Sequence, residues 1–439
     1  MKLGRKEAED YIYSSYMKAL PHLSYDMSDS KKRHPEYTEE IIKSLFRGNP
    51  AVAVTGSKGK GSAAYILMSI LSLKMKTGLM TSPHILDFNE RFRIDDDLIE
   101  DAEFADIVSG LKPLFDQAEP DHSRGLFISP IGIETAVALS FFARHDTVCD
   151  IFEHGKGVRY DDVRNVPAEY AIINTIFLEH TRELGSTIEE IASDKASVIR
   201  PGMKCVFSGE QSTEALRITE NAAKEAGVPL KLYGRDFEAL DIRFQKDGMI
   251  CNVRTDRRLY RDLGISLLGE NQCRNLALAM AAAEEIQGGS LASDETDEKL
   301  LRDRLMHLEW FGRLSMIRKD PPMLVDCCVN RNSADYALRA LRELGIDRAD
   351  IILAIPDDKD FAGVAVKAHE AGHHVILSAI SNPHYRFTSK QPEELKRLGV
   401  PFIYAESISD ALSGATRPTA VLGTAAMLGE IRRWMKNGI

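Results

Sequence analysis

Short apolar runs alternate with longer helical patterns along most of this chain. The first run, residues 51–54, lies between Pro50 and Gly56 and precedes the segment SAAYILMSILSL, which contains no helix breaker and predicts a helix. Further buried strands are predicted at 78–81, 148–152, 171–176 and 204–207. Such an alternation is typical of a parallel sheet covered by helices, so we expect an α/β fold.

The same pattern predicts two domains. Residues 1–48 have a helical pattern that is interrupted by a polar stretch at 28–35. A glycine-rich break at 288–290 indicates a linker or hinge, and beyond it strands are predicted at 323–329, 351–355, 374–380, 401–404 and 420–422. We therefore divide the chain into an N-terminal and central domain, 1–297, and a smaller Rossmann-like α/β domain, 298–439.

Length and charge narrow the classes of function. The chain has 439 residues, which fits about two or three domains, and 56 Lys+Arg against 66 Asp+Glu give a net charge of −10. This balance argues against a nucleic-acid partner. Acidic residues near the N-terminus argue against a signal peptide, and no apolar run is long enough to span a bilayer, so we expect a cytoplasmic protein without a membrane partner. The six cysteines show no CxxC spacing and do not predict a zinc site.

The clearest chemical motif is GSKGKGS, which follows the first buried strand and opens a helix. Glycines allow several backbone N–H groups to point at one phosphate, and the helix N-terminus adds positive charge. Lys60 would reach the outer phosphates and Ser62 would bind Mg²⁺, as in a P-loop, although the spacing is shorter than in the general motif. A glycine-rich turn with a solvated lysine is the alternative. The predicted ATP-binding residues of this loop are Gly56, Ser57, Lys58, Gly59, Lys60, Gly61 and Ser62.

Further polar residues follow two other predicted strands. Glu153 ends the strand at 148–152, and Glu179 and His180 lie beyond the strand at 171–176. Because the carboxyl ends of parallel strands meet at one edge of a sheet, these side chains are candidates for a metal site. Taken alone, a glutamate and a histidine at strand ends are more often ordinary loop residues.

A series of motifs resembles the Mur ligase superfamily, and within it the folylpolyglutamate and dihydrofolate synthases. In chain order these are GSKGKGS, Thr81–His84 with Asn89–Arg91, Glu153 with Gly155, Gly157 and Arg159, Glu179–Thr181, TIEEIASDKASVIRPG, Leu268–Gly269 with Gln272 and Asn275, Trp310 with Gly312–Arg313, Asp326 with Asn330, and Asp358–Asp360. The resemblance covers about residues 50–360 and implies a P-loop ATPase domain followed by a Rossmann-like domain.

The resemblance implies an ATP-dependent ligase that joins a small-molecule carboxylate to an amino acid through an acyl phosphate and releases ADP and phosphate. It implies ATP and two Mg²⁺ as cofactors. The ATP contacts from the later part of the chain would be Asn275, Arg313, Asp326 and Asn330; the metal ligands Ser62, Ser82, Glu153, His180 and a carbamylated Lys195; and the catalytic residues Lys60, His180, Lys195, Arg313 and Asp326.

Several residues depart from the family pattern. Residues 326–331 read DCCVNR where the family has DGAHNP, so Val329 replaces a histidine. Lys58 replaces an asparagine, and His154 and Lys156 replace an apolar residue and a glycine. These changes leave the acceptor open, a folate or another carboxylate. Lys156 and Arg331 lie in segments expected to face the reacting groups and favour an acceptor with additional negative charge; the alternative is that both side chains point to solvent.

Two other classes of function are weighed against the ligase. A non-ligating ATPase or nucleotide-dependent binding protein would have lost the family histidine through decay of the chemistry, but the ATP and metal residues are retained together. An NAD(P)-dependent oxidoreductase would need GxGxxG after a strand, which is missing. We expect a ligase that is a monomer or a small homo-oligomer.

Overall fold

The computed structural model describes residues 2–24, 27–245 and 247–436. The helices are α1 Arg5–Ala19, α2 Asp29–Lys32, α3 Glu36–Leu45, α4 Lys60–Leu71, α5 Asp101–Ala118, α6 Pro130–Arg144, α7 Ile188–Ala196, α8 Thr213–Ala226, α9 Glu270–Gln287, α10 Glu295–Met306, α11 Arg331–Glu343, α12 Phe361–Glu370, α13 Lys390–Arg397, α14 Ile408–Ser413 and α15 Ala425–Lys436. Among these described helices, none combines the length and the apolar character needed to cross a bilayer.

The strands form three sheets. They are β1 Ala51–Thr55, β2 Thr77–Met80, β3 Phe92–Ile94, β4 Asp97–Leu98, β5 Cys149–Glu153, β6 Tyr170–Ile173, β7 Cys205–Ser208, β8 Leu230–Leu232, β9 Glu238–Gln245, β10 Gly248–Arg254, β11 Leu259–Ile265, β12 Ser315–Lys319, β13 Pro322–Cys327, β14 Asp350–Ala354, β15 His374–Ser378, β16 Phe402–Ala405 and β17 Thr419–Gly423. All five strands predicted from the first half of the chain are present within a few residues of their predicted bounds.

The first sheet has eight strands in the order β4-β3-β2-β5-β1-β6-β7-β8 and is parallel from β2 to β8. Strand β1 is buried on both faces. Val52 and Val54 pack into the core that contains α4 and α9, whereas Ala51 and Ala53 pack into the core that contains α5 and α6. Burial on both faces explains why this strand is a continuous apolar run.

The second sheet, β11-β10-β9, is antiparallel and was not predicted. Its inner side chains, among them Met249, Cys251 and Leu263, join the core that α4 and α9 form. Most of strand β9 alternates half-buried and exposed positions, which is typical of a sheet with one solvated face rather than of a buried parallel strand. The sheet therefore enlarges the N-terminal domain.

The third sheet has six strands in the order β12-β13-β17-β14-β15-β16, and only β12 is antiparallel to its neighbour. This sheet confirms the predicted second α/β domain. Strand β13 ends at Cys327, two residues before its predicted end, because the chain turns there to let Asn330 cap α11 by accepting a hydrogen bond from the Ser333 N–H.

The packing around α10 bears on where the domains divide. Helix α10 contains the predicted boundary 297/298, but Leu301 and Leu305 are buried in the N-terminal core. Trp310 still stacks on Tyr65 of that domain with ring centroids 4.5 Å apart, whereas Phe311 packs against the core of the second domain. We therefore propose that the two domains meet at residues 309–312.

Candidate active site

The GSKGKGS loop connects β1 to α4 and is pressed against the end of β6. Gly56 and Gly59 have φ values of +138° and +83°. A Cβ atom at Gly56 would lie 2.9 Å from Asn174 Cβ, and one at Gly59 would lie 2.6 Å from Asn174 Nδ2. Both positions therefore require glycine, and the resulting backbone turn opens directly onto the N-terminus of α4, where a phosphate is favoured.

Lys60 and Glu153 lie side by side beneath this loop. Lys60 Nζ donates to the Gly56 carbonyl oxygen at 3.0 Å. Glu153 is buried at the end of β5, and its Oε2 accepts a hydrogen bond from the Ser82 N–H at 3.1 Å. Burial raises the pKa of Glu153, although Lys60 and the Ser82 N–H act in the opposite direction. The arrangement places a lysine and a carboxylate at the mouth of the phosphate loop.

The residues around Ser62 fit a hard cation. Ser62 Oγ is buried and has no hydrogen-bond partner, and Glu153 lines the same cavity. Mg²⁺ usually binds one or two protein oxygens and completes its shell with water and phosphate. Over residues 2–24, 27–245 and 247–436 there is no cluster of three His, Cys, Asp or Glu side chains that could hold a metal without such help. The donor set fits an ion that a nucleotide completes.

Lys195 is buried behind the loop rather than in a cavity. Its Nζ donates to the carbonyl oxygens of Gly56 and Lys156, both at 2.9 Å, and lies 3.1 Å from Glu179 Oε1. Burial, reinforced by Lys60, lowers the pKa of Lys195 to about 8. With three oxygen neighbours the ammonium braces the loop, and in this state it cannot also be a metal ligand.

His180 lies on the other side of Glu179. Its φ of 45° is in the left-handed region, and its Nε2 lies 3.8 Å from Glu179 Oε2. Burial lowers the pKa of His180, and the charge of Lys156 adds to this effect. His180 lines a different cavity from Glu153, so the predicted ligands of a second metal ion do not all border one cavity here.

The second domain completes the nucleotide cavity. Arg313, Asp326 and Asn330 line a space of about 210 Å³ together with residues 57–62, Ser82 and Glu153. Asp326 lies near the end of β13, and its Oδ1 accepts a hydrogen bond from the Leu314 N–H at 3.0 Å. The structure thus brings together, from both domains, most of the residues predicted to bind ATP.

Asn275 lies on α9 beside this cavity. Its Oδ1 accepts a hydrogen bond from Asn174 Nδ2 at 2.8 Å, and its Nδ2 donates to Gln272 Oε1 at 3.1 Å. It lines a neighbouring cleft with Lys58, Gly59 and Tyr336. This position agrees with the predicted adenine contact, which stays a prediction.

A larger cavity of about 400 Å³ adjoins the nucleotide cavity, with which it shares Lys60, Ser82 and Pro83. His154 borders it and is fully buried, with Nδ1 3.4 Å from Asp161 Oδ1. Burial opposes ionisation of Asp161, but His154 and the Val163 N–H keep the pKa of this carboxyl lowered. The other polar side chains of the wall are those of Tyr13, Arg33, Arg91, Ser129, Glu134, Lys156 and His180.

Arg331 was expected beside the reacting groups and lies elsewhere. Its side chain is exposed and forms an ion pair with Asp360, with Nε and Oδ2 2.8 Å apart. It lines neither the nucleotide cavity nor the adjoining one. The expectation for Arg331 was therefore wrong, whereas Lys156 does line the larger cavity.

Sequence reasoning missed three residues of the site. Asn174 supports both glycines of the loop, Asp161 holds His154, and Tyr336 lines the nucleotide cavity. Asn174 directly follows β6, so its position at a strand end was the available signal. Asp161 is close to His154 in sequence but belongs to no motif, and Tyr336 is distant in sequence from Lys58, so no local pattern indicated either residue.

The chain was compared with known proteins. No protein-family model matches it. It is 28% identical over 339 residues to a dihydrofolate synthase/folylpolyglutamate synthase of Bacillus subtilis, which covers 76% of this chain and 77% of the relative. It is 25% identical over 402 residues to the folylpolyglutamate synthase of Lacticaseibacillus casei, which covers 89% and 92% of the two chains. A Mycobacterium tuberculosis folylpolyglutamate synthase complexed with ADP superimposes with a TM-score of 0.84 at 23% identity and covers 96% of this chain and 98% of that one.

Fold and site together define an ATP-binding ligase built from a P-loop domain and a second α/β domain. The curated relatives and the solved structures that it resembles are folylpolyglutamate and dihydrofolate synthases, which belong to the Mur ligase superfamily. It is an ATP-dependent ligase that forms an amide bond. The alternative of a non-ligating ATPase or binding protein is not favoured by these relatives.

Proposed function

We propose that ATP binds in the 210 Å³ cavity and phosphorylates a carboxylate held in the adjoining 400 Å³ cavity. The observation that carries this proposal is that Lys60 lines both spaces. A lysine at this junction can neutralise charge on the transferring phosphoryl group while the acceptor approaches from the other side. The amine component is an amino acid.

The residues of the chain support each bond change of this reaction. A carboxylate oxygen attacks the γ-phosphorus of ATP, and the bond to the β,γ-bridging oxygen breaks to release ADP. The amine nitrogen then attacks the acyl carbon, loses a proton, and inorganic phosphate leaves with the electron pair of the C–O bond. Lys60 and Arg313 neutralise phosphoryl charge, and the contact between the domains excludes water that would hydrolyse the acyl phosphate.

One Mg²⁺ would be held by Ser62 and Glu153. The unpartnered Ser62 Oγ and the carboxylate of Glu153 supply oxygen ligands, and Ser82 supports Glu153 through its backbone N–H. When bound, this ion would neutralise charge on the phosphate oxygens. The ammonium of Lys195 cannot act as a ligand of a second Mg²⁺ in this arrangement.

Carbamylation of Lys195 would require its present hydrogen bonds to break. The carbonyl oxygens of Gly56 and Lys156 accept hydrogen bonds from the ammonium and would repel a carbamate oxygen. We therefore place carbamylation after nucleotide and metal binding. With ¹³C-labelled CO₂, a carbamate resonance should appear in the presence of Mg²⁺ and an ATP analogue and be missing in Lys195→Arg. No resonance under any of these conditions would contradict the proposal.

The larger cavity favours an anionic acceptor. Arg33, Arg91 and Lys156 line it, together with His154, whose ring nitrogens have no hydrogen-bond partner. All three cations have carboxylate partners: Arg91 pairs with Glu134 at 2.6 Å, Lys156 with Glu183 at 3.1 Å and, more loosely, Arg33 with Asp29 at 3.7 Å. One solved relative is a folylpolyglutamate synthase complex with AMPPCP and folate. Folates and non-pterin polycarboxylates are therefore the acceptors to compare.

A cleft between the domains suits the amino acid. It measures about 600 Å³ and is lined by His84 from the first domain and by His384, Glu430 and Arg433 from the second. A guanidinium can bind the carboxylate of an amino acid, and a glutamate can bind its ammonium group. We place the amine component in this cleft.

The decisive experiment is a phosphate-release screen of acceptor and amine pairs, with mass spectrometry of the products. Dihydropteroate, tetrahydrofolate and several polycarboxylates should be combined with glutamate and other amino acids. Release that requires both components, with a product heavier by one amino-acid residue, is the expected result. Phosphate release that depends on neither component would contradict the ligase assignment.

A further inference from the structure

Lys58 is a second lysine in the phosphate loop, two residues before Lys60. Its side chain is only 20% exposed, and its Nζ is buried without a hydrogen-bond partner. Lys60, in contrast, donates to a carbonyl oxygen. A buried ammonium without hydrogen bonds is costly, because it has lost its bonds to water and gained no hydrogen-bond acceptor in exchange.

The neighbours of Lys58 belong to the other domain. Asp326 Oδ2 lies 3.8 Å from Lys58 Nζ, which is too far for a hydrogen bond, and this oxygen is likewise buried without a partner. The ring of Tyr336 lies on another side, with its centroid 4.8 Å from Nζ. Two opposite charges thus face each other across the domain boundary without direct contact.

The three side chains share the nucleotide cavity. Lys58, Asp326 and Tyr336 all line it, and so does Val329, an apolar residue from the same loop as Asp326. Its lining cations, within the described part of the chain, are Lys58, Lys60 and Arg313. A polyphosphate entering this space would give the Lys58 ammonium the oxygen partners that it lacks.

We propose that Lys58 is a second phosphate-binding lysine, which contacts the triphosphate while its charge attracts Asp326 and so holds the second domain against the nucleotide. The inference rests on the proposed ATP site and deepens it. A simple ion pair between Lys58 and Asp326 explains this arrangement less well. At the observed separation, Lys58 Nζ and Asp326 Oδ2 both remain without a hydrogen bond.

The test compares nucleotides that differ in phosphate number. Calorimetry should measure the affinity of wild type and Lys58→Met for a non-hydrolysable ATP analogue with Mg²⁺ and for AMP. Loss of a charge-assisted contact should weaken the analogue about tenfold to a hundredfold and leave AMP within about twofold. Lys58→Gln is the second variant, to be used if Lys58→Met does not fold.

Lys319→Met is the matched control. Lys319 is an exposed lysine that also pairs across the domains, with Asp247 at 2.7 Å, but does not line the nucleotide cavity. It should keep wild-type affinity for both nucleotides. Unchanged analogue affinity in Lys58→Met, or an equal loss for AMP, would overturn the inference. Nucleotide binding needs no acceptor, so this test remains valid even if the ligase screen fails. If wild type binds neither nucleotide, the proposed ATP site itself is refuted.

Discussion

Two lysines bind one carbonyl oxygen at the centre of the site. The Gly56 oxygen accepts hydrogen bonds from Lys60 Nζ at 3.0 Å and from Lys195 Nζ at 2.9 Å. Lys195 is fully buried and has further partners, whereas Lys60 reaches two cavities. Lys195 can therefore keep the loop in shape when Lys60 turns to a phosphate. We propose that structural support and phosphate binding are divided in this way between two side chains of the same type.

We predict that Lys60→Ala abolishes turnover with little loss of stability. Removal of one electrostatic contact to a developing charge typically costs about a hundredfold to a thousandfold in rate. The loop should keep its conformation because Lys195 still donates to Gly56. Product formation and thermal unfolding of variant and wild type provide the check, and near-normal ligase activity would refute the role of Lys60.

Asp150 should make stability depend on pH. It is buried in β5 and accepts hydrogen bonds from Thr147 Oγ1 and Asn49 Nδ2, and burial raises its pKa from 3.8 to about 6. Between these two values the folded state binds a proton that the unfolded state releases, so the raised pKa lowers stability as pH rises through this window.

We predict that Asp150→Asn flattens this dependence. Between pH about 4 and about 7, the unfolding free energy of the variant should rise relative to that of wild type by roughly 2–3 kcal/mol. Urea unfolding across this range measures it. Parallel curves for variant and wild type would show that Asp150 does not titrate in this window.

At the scale of elements, a glycine in β2 allows α6 to pack closely on the first sheet. Strand β2 lies beside β5, and at Gly78 the ring of Phe142 from α6 lies against the backbone. A Cβ atom at Gly78 would lie 2.7 Å from this ring. Glycine at this position therefore sets the distance between α6 and the sheet.

We predict that Gly78→Ala destabilises the protein by about 1–3 kcal/mol, because the rings and helix must move to admit one methyl group. Gly110→Ala is the control. A Cβ atom at Gly110, in the middle of α5, would have no atom within 4 Å, so this variant should gain up to about 1 kcal/mol from helix propensity. Denaturant unfolding distinguishes the two, and equal stabilities would contradict the packing argument.

At the scale of the whole molecule, ion pairs at the periphery join the two domains. Arg339 pairs with Glu270 at 2.6 Å, and Arg432 pairs with Glu90 at 3.1 Å. The arginines of these pairs are largely open to solvent, and ion pairs that water can reach contribute little free energy. We propose that the domains separate about residues 309–312 and close when both bind one nucleotide.

We predict that an ATP analogue together with the acceptor reduces the radius of gyration in solution. The reason is that Lys60 from one domain and Arg313 and Asp326 from the other must contact the same triphosphate. Small-angle scattering with and without ligands measures the change. Identical profiles would remove the support for closure on ligand.

The sequence by itself determined the fold class and predicted most of the residues that line the nucleotide cavity. Buried parallel strands are continuous apolar runs with polar residues at their ends, so β1, β5 and the C-terminal strands could be recognised locally. The glycines of the phosphate loop carry a signal of the same local kind, because their backbone conformation admits no other residue easily. Strands β9 to β11 were missed because they pair in a separate antiparallel sheet and only one of its faces is buried.

Only the tertiary structure decided which charges meet. Lys58 faces Asp326, Lys195 turns to two carbonyl oxygens and Glu179, and Arg331 pairs with Asp360 away from the cavities. A lysine or arginine looks the same in sequence whether it is solvated, paired or directed at a ligand. Its role depends on burial and on partners that can lie far away in sequence, 268 residues for Lys58 and Asp326, and those are set by how the two domains pack.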